Sequence, residues 1–333
     1  MVKLAHFSIK EYLISDELLN KAASYFHLTA ELSHSLIAQT CLAYLLQFNT
    51  LQSLDQEVIK SFPLTEYAAR YWIFHAQSSG IEESQAWMFK LAVRLFTPKS
   101  AQLINWVKIC DVDIEYFGMN TEDWWKIKQM KRGQIATPLY YASQAGLVQV
   151  LEHLVEIEKD VNIKGGLYGN PLQAASYRGH EIIVKFLLEK GANVSAQEGS
   201  YGNALQAASL KGHEMIVNLL VETGADLKAQ GGEYGNALQA ASYGGHEVIV
   251  KLLLEKDADV NAQRGEYGNA LQAASYNGHE VIVKLLLEKD ADVNAQRGQY
   301  GNALQAASSN GHEVIVKLLL EKDADVNAQG GEH

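Results

Sequence analysis

From Ile135 onward, apolar and polar positions recur every 33 residues. In the stretch that opens at Tyr201, Leu205, Ala207 and Ala208 make a narrow apolar face, and Ile216, Val217, Leu219 and Leu220 recur at helical spacing. The pattern predicts two short helices per period. Asn203 suits the N-cap of the first, with Ala204 as its first residue. Pro138 and Pro171 hold the corresponding position earlier in the chain, where proline is tolerated. Gly212 suits the left-handed residue that ends the first helix. Glu214 favours the start of the second by its charge. Gly224 ends that helix, and a polar stretch from Asp226 to Glu233 leads onward.

Tyr168, Tyr201, Tyr234, Tyr267 and Tyr300 mark the period, each followed by Gly-Asn and then by Leu-Gln-Ala-Ala-Ser one residue on. The segments 234–266 and 267–299 differ at only two of 33 positions, so they are copies of one unit. A weaker copy starts near Ile135, where Thr137-Pro138-Leu139 matches Asn170-Pro171-Leu172. Six units follow: 135–167, 168–200, 201–233, 234–266, 267–299 and 300–332. One such unit cannot bury its own apolar face, and stacking on the next copy does so. At the end of the second helix, Gly191 and Gly224 give way to Asp257, Asp290 and Asp323. The expectation is that these aspartates hold the same left-handed backbone, at a cost. The last unit keeps the internal apolar pattern through Val314, Ile315 and Leu318, and is expected to fray without a capping unit after it.

The array resembles the ankyrin-repeat family. Leu271, Ala273-Ala274, Gly278-His279, the Val281–Leu287 helix and Ala291-Asp292-Val293-Asn294 carry the resemblance. It implies an all-α solenoid of helix-turn-helix units with turn fingers, whose fingers and first helices bind proteins. Three features depart from the family pattern. Thr-Pro becomes Asn-Ala in the later units. The histidine after Pro-Leu becomes Gln173, Gln206, Gln239, Gln272 and Gln305. The repeating tyrosine takes the turn-glycine position, with glycine one place later.

Residues 1–133 show no 33-residue period and hold all five tryptophans; they read as a compact all-helical domain before the array at 134–333. Ser8-x-x-Glu11 fits a capping box. An amphipathic pattern runs from Thr29 to Phe48 through Leu32, Leu36, Ile37, Leu42, Leu45 and Leu46. Pro63 opens a helix through Tyr67, Ala68, Tyr71 and Trp72, and 82–96 and 101–109 read as two more. Leu4-Ala5-His6-Phe7-Ser8-Ile9-Lys10-Glu11-Tyr12-Leu13 and Tyr67-Ala68-Ala69-Arg70-Tyr71-Trp72 resemble the segment between the NACHT nucleotide-binding module and the ankyrin array of fungal NLR-like proteins. Thr137–Ser143 resembles the entry into that array. The resemblance implies a sensor half. No Gly-x-x-x-x-Gly-Lys-Ser/Thr loop is present to cradle phosphates, so the chain reads as that half without its motor.

Charge sharpens the reading of partners. Net charge is −11. Residues 134–333 carry 15 basic and 25 acidic side chains, so the array is the acidic part and a basic protein partner is favoured. No concentrated basic face suits nucleic acid, and no apolar run approaches the ~20 residues a membrane helix needs. Cys41 and Cys110 sit in apolar surroundings and read as buried small side chains, which fits an intracellular, cytoplasmic protein. His180, His213, His246, His279 and His312 recur once per unit, too far apart to share one zinc ion, and read as structural. No nucleophile elbow is present, so no enzyme and no cofactor are expected.

Near-identical copies make their differences legible. Before the glycine that ends the first helix stand Tyr177-Arg178, Leu210-Lys211, Tyr243-Gly244, Tyr276-Asn277 and Ser309-Asn310. The fingers vary at Arg264 and Glu266, and at Arg297 and Gln299. Drift on a solvated face is one explanation. Contact with a protein partner is the other, and it nominates Tyr177, Arg178, Leu210, Lys211, Tyr243, Tyr276, Asn277, Asn310, Arg264, Glu266, Arg297 and Gln299. The fixed turn tyrosines read as a structural ladder.

Overall fold

The structure, a computed structural model, describes residues 29–50, 61–79, 82–110 and 135–328. Among these residues there are sixteen helices and no strand. The chain divides into two compact units, residues 1–115 and 116–333. The boundary expected at 133/134 and the Ser8–Glu11 capping box lie outside the described residues.

In the first unit, Thr29 accepts a hydrogen bond from the Leu32 amide at 3.1 Å and starts α1 (Ala30–Leu45). The helix at Pro63 is α2 (Thr65–Gln77), followed by α3 (Glu82–Leu95) and α4 (Ala101–Ile109). Ser100 caps α4 through the Leu103 amide. Trp72 packs edge to face on Phe96 and Trp106, which are tilted against each other, with centroids 5.5–6.2 Å apart, and the three form the core with Leu42, Leu45 and Leu103. The Trp106 indole donates to Ala69 O at 3.0 Å. One expectation fails: Leu32 and Leu36 are exposed, and α1 buries Ser35, Ala38, Cys41, Leu42 and Leu45 instead. Small side chains let α1 approach α2 closely, so Ser35, Ala38 and Cys41 face inward with Leu42 and Leu45, and Leu32 and Leu36 face outward. Cys41 is buried, but Cys110 is only half-buried.

In the second unit each period folds as two helices. These are α5 (Pro138–Gln144) and α6 (Val148–Glu158), α7 (Pro171–Arg178) and α8 (Glu181–Glu189), and α9 (Ala204–Lys211) and α10 (Glu214–Glu222). There follow α11 (Ala237–Gly244) and α12 (Glu247–Glu255), α13 (Ala270–Asn277) and α14 (Glu280–Glu288), and α15 (Ala303–Ser309) and α16 (Glu313–Leu320). First helices stack on first helices through buried alanines such as Ala207, Ala208, Ala240 and Ala241. Second helices approach one another less closely. Ile216, Val217 and Leu220 are buried as expected, and Leu219 is only half-buried. Asn203 accepts from the Gln206 amide and Gln206 Oε1 accepts from the Asn203 amide, a reciprocal cap at 2.7–2.9 Å.

An asparagine clamp ties some neighbouring units at their outer loops. Asn261 donates to Asp290 O and accepts from the Asp292 amide at 2.7 Å. Asn294 does the same to Asp323 and Asp325, and Asn162 to Gly191 and Asn193. Ser195 and Lys228 occupy this position in the second and third units.

The aspartates that replace glycine are left-handed, as expected: Asp257, Asp290 and Asp323 have φ of 60°, 58° and 61°. Gly191 and Gly224, at the same position, have φ of 86° and 89°. Asp290→Gly is therefore expected to raise stability by roughly 0.5–1 kcal/mol. A melting temperature at or below that of the parent would contradict this.

Candidate partner-binding surface

Each finger is held by a glutamine that the period repeats. Gln239 Nε2 donates to Ala262 O and Arg264 O of the finger that closes its own unit and to Gly268 O at the start of the next, at 3.3, 2.9 and 2.8 Å. Gln173, Gln206 and Gln272 make the same three bonds. The glycine four residues earlier makes room for this amide. A Cβ on Gly235 would fall 2.1 Å from Gln239 Oε1, and its φ is +81°. The glutamine and the displaced glycine, two separate departures from the family pattern in sequence, are thus one device. The signal was present in their fixed four-residue spacing.

The fingers are linked along the array by backbone hydrogen bonds. The amides of Ser200, Glu233, Glu266 and Gln299 donate in turn to Leu167 O, Ser200 O, Glu233 O and Glu266 O, at 2.9–3.1 Å. Five fingers are fixed in line by these four bonds, and side chains at these positions are displayed at regular intervals. Glu233 and Glu266 lie side by side. Burial, and then the Glu266 charge, push the Glu233 carboxyl above the usual range.

Beneath the fingers, Tyr140, Tyr168, Tyr201, Tyr234, Tyr267 and Tyr300 stack with centroids 5.7–6.4 Å apart. Tyr177, Tyr243 and Tyr276 insert as a second row, each ring within 4.4–5.6 Å of two turn tyrosines. Burial raises the Tyr234 and Tyr267 hydroxyls. A hydrogen bond with Tyr276, and then burial, hold the Tyr300 hydroxyl up at about 12.

The nominated residues fall into three groups. Arg264, Glu266, Arg297 and Gln299 are exposed on the fingers, and Asn310 is exposed at the end of α15. Arg178, Leu210, Lys211, Tyr243, Tyr276 and Asn277 are half-buried. Arg178 lies over the Tyr168 and Tyr177 rings and Lys211 over Tyr177, at 4.6–5.9 Å. Asn277 and Asn310 donate to Tyr243 O and Tyr276 O. Tyr177 is only 5% exposed, so it serves the ladder and offers a partner little area.

The recurring histidines link units. Among the described residues no group of three or more His, Cys, Asp or Glu side chains is placed to hold an ion. His246 Nε2 donates to Leu210 O at 2.9 Å, and His180 Nε2 to Gln144 O at 3.0 Å. Burial lowers both pKa values from the ordinary ~6.5. A lowered histidine pKa means that the unfolded chain binds the proton first. Stability is full above the unfolded value and is lost as pH falls through it. The melting temperature is expected to drop between pH 7.5 and 5.5, and less so in a His180→Gln/His246→Gln variant. Glu158 and Glu233, raised by burial, oppose this only nearer the carboxylate range. A flat profile in the parent would rule out the neutral-histidine account.

No described helix is long and apolar enough to cross a membrane. Comparison with known proteins agrees with the architecture. The chain is 37% identical over 157 residues to the azaphilone pigments biosynthesis cluster protein L of Monascus ruber, a match covering 46% of this chain and 32% of that protein. The chain thus spans about a third of that relative's length. The crystal structure of the human ASB11 ankyrin repeat domain superposes with a TM-score of 0.51 at 26% identity, over 59% of this chain and 87% of that one. The profile for ankyrin repeats in three copies matches residues 126–198, 196–264 and 237–330. Those matches take in more than half of the chain and the whole of the stitched, tyrosine-laddered array, and the chain belongs to the ankyrin-repeat family.

Proposed function

We propose that the protein is a non-catalytic recognition module that holds a protein partner on its fingers and first helices. The observation that carries this is the line of fingers locked by Gln173, Gln206, Gln239 and Gln272, which displays exposed side chains on a backbone that needs no reordering on binding. Arg264, Glu266, Arg297 and Gln299 form the contact, with Lys211, Tyr243 and Tyr276 at its floor. The acidic balance of the array favours a basic partner. The low cysteine content, two in 333 residues, fits a cytoplasmic protein. Affinity capture with the full chain, repeated with an Arg264→Ala/Glu266→Ala/Arg297→Ala/Gln299→Ala variant, tests the surface. A specific partner should be lost from the variant while its melting temperature holds; undiminished capture would reject these fingers as the contact.

A second reading is that the chain acts as the sensor half of an NTP-driven switch. It is supported by the Tyr67–Trp72 motif on α2 and by the greater length of the Monascus relative. Longer transcript reads test it: an in-frame phosphate loop upstream supports the switch, and a stop codon there opposes it.

A further inference from the structure

Two stretches of the array carry the same tyrosine rings with opposite charge around them. Displaced by two periods, Tyr168, Tyr177 and Tyr201 of the units at 168–200 and 201–233 fall on Tyr234, Tyr243 and Tyr267. Four positions around them change. Arg178 and Lys211 become Gly244 and Asn277, while Leu167 and Ser200 become Glu233 and Glu266. In the first stretch the chain supplies its own cations to the rings. The Arg178 guanidinium lies 5.8 Å from the Tyr168 centroid and 5.9 Å from that of Tyr177, and Lys211 Nζ lies 4.6 Å from Tyr177. In the second stretch no cation of the chain covers Tyr234, Tyr243 or Tyr267 among the described residues. Gly244 leaves no room for one, since a Cβ there would fall 2.5 Å from Leu210 O. Asn277 turns its amide to Tyr243 O, at 2.8 Å.

The carboxylates stand at the edge of these uncovered rings. Glu233 and Glu266 are exposed, and each precedes a turn tyrosine. The Glu266 amide donates to Glu233 O at 2.9 Å, which holds the two side by side. Burial raises the Tyr234 hydroxyl, and both glutamate charges add to it. Arg264 and Arg297, exposed on the fingers, form no ion pair with either glutamate among the described residues. Carboxylates that served the array's own fold would stand beside Arg178 and Lys211. They stand instead where those cations are gone.

We propose that the half-buried rings of Tyr234, Tyr243 and Tyr267, with Glu233 and Glu266 beside them, form a seat for an arginine side chain of the protein partner, which rests on the reading of the fingers as a partner surface. Arg178, lying over two rings of the earlier copy, shows the pose. A cation over an aromatic face is held by the ring quadrupole. Arginine suits the seat better than lysine, because a planar guanidinium stacks on a ring and still presents its edge to carboxylates. Burial and the Glu266 charge push the Glu233 carboxyl up in the free protein, and a seated guanidinium should bring it down.

The tripeptide acetyl-Gly-Arg-Gly-amide, titrated into the full chain with isotope-labelled tyrosine, tests the seat by NMR without any partner. Saturable shifts are expected in the Tyr234, Tyr243 and Tyr267 ring signals. The citrulline counterpart keeps the shape and loses the charge, and should bind at least about tenfold more weakly. The arginine peptide should weaken as much against Glu233→Gln/Glu266→Gln and against Asn277→Lys. The latter gives Tyr243 the cation that Lys211 gives Tyr177, and so fills the seat from within. Parent-like Tyr140 and Tyr168 signals show that each variant is folded. Equal binding of the citrulline peptide, binding that survives in Glu233→Gln/Glu266→Gln, or no saturable shift in the parent would each overturn the seat. The finger contact is judged separately, by capture that survives the fourfold alanine variant.

Discussion

Gly245→Ala is expected to lower the melting temperature by roughly 6–12 °C, at 2–4 °C per kcal/mol for a domain of this size. Two costs combine. Gly245 has φ of +78°, where alanine is disfavoured by about 1 kcal/mol. The added Cβ would also lie 2.6 Å from Cε1 of His279 in the next unit. That ring donates to Tyr243 O at 3.0 Å, and pushing it aside gives up a buried hydrogen bond and its packing, about 2 kcal/mol more. Gly224→Ala supplies the comparison. Its φ is +89°, but nothing lies within 4 Å of the new methyl group. It should show the backbone cost alone, roughly 2–4 °C. Equal losses in the two variants would mean that the histidine contact contributes nothing.

Gln239→Leu should cost about 2–4 kcal/mol, because it removes the donor from three finger carbonyls in a buried setting. Leucine is close in volume, so the loss is polar rather than steric. The damage should be local as well as global. Amides over 262–269 are expected to exchange faster with solvent, while those of the unit at 168–200 keep their protection. A melting temperature within about 1 °C of the parent would reject the stitch as a structural element.

Much of the array was legible because a strict period exposes its own grammar. Helix starts at Asn203, stops at Gly212, and the left-handed aspartate at 290 all follow from local chemistry repeated in register. The role of the glutamine was not legible in this way. Its partners lie 23, 25 and 29 residues further on, and no local pattern joins them. Variation between copies nominated Arg264 and Arg297, which are exposed, and equally Tyr177, which is not. Variation reports tolerance to change, whereas burial depends on where the neighbouring rings stand. In α1 the leucine count misled because close contact selects small residues, and the face through Ser35, Ala38 and Cys41 was taken inward.

The joints between units are unequal in their fastenings. Between the units that begin at Tyr201 and Tyr234, Leu210 stands where a second-row tyrosine bridges other joints, and Lys228 stands where asparagine clamps them. The Gln206 stitch and the backbone bond from Glu266 to Glu233 remain. Pulled from its two ends, the protein should therefore part in the middle, near residue 230, before either end peels away. The three units behind that seam and the three ahead of it would then behave as two blocks joined by a hinge.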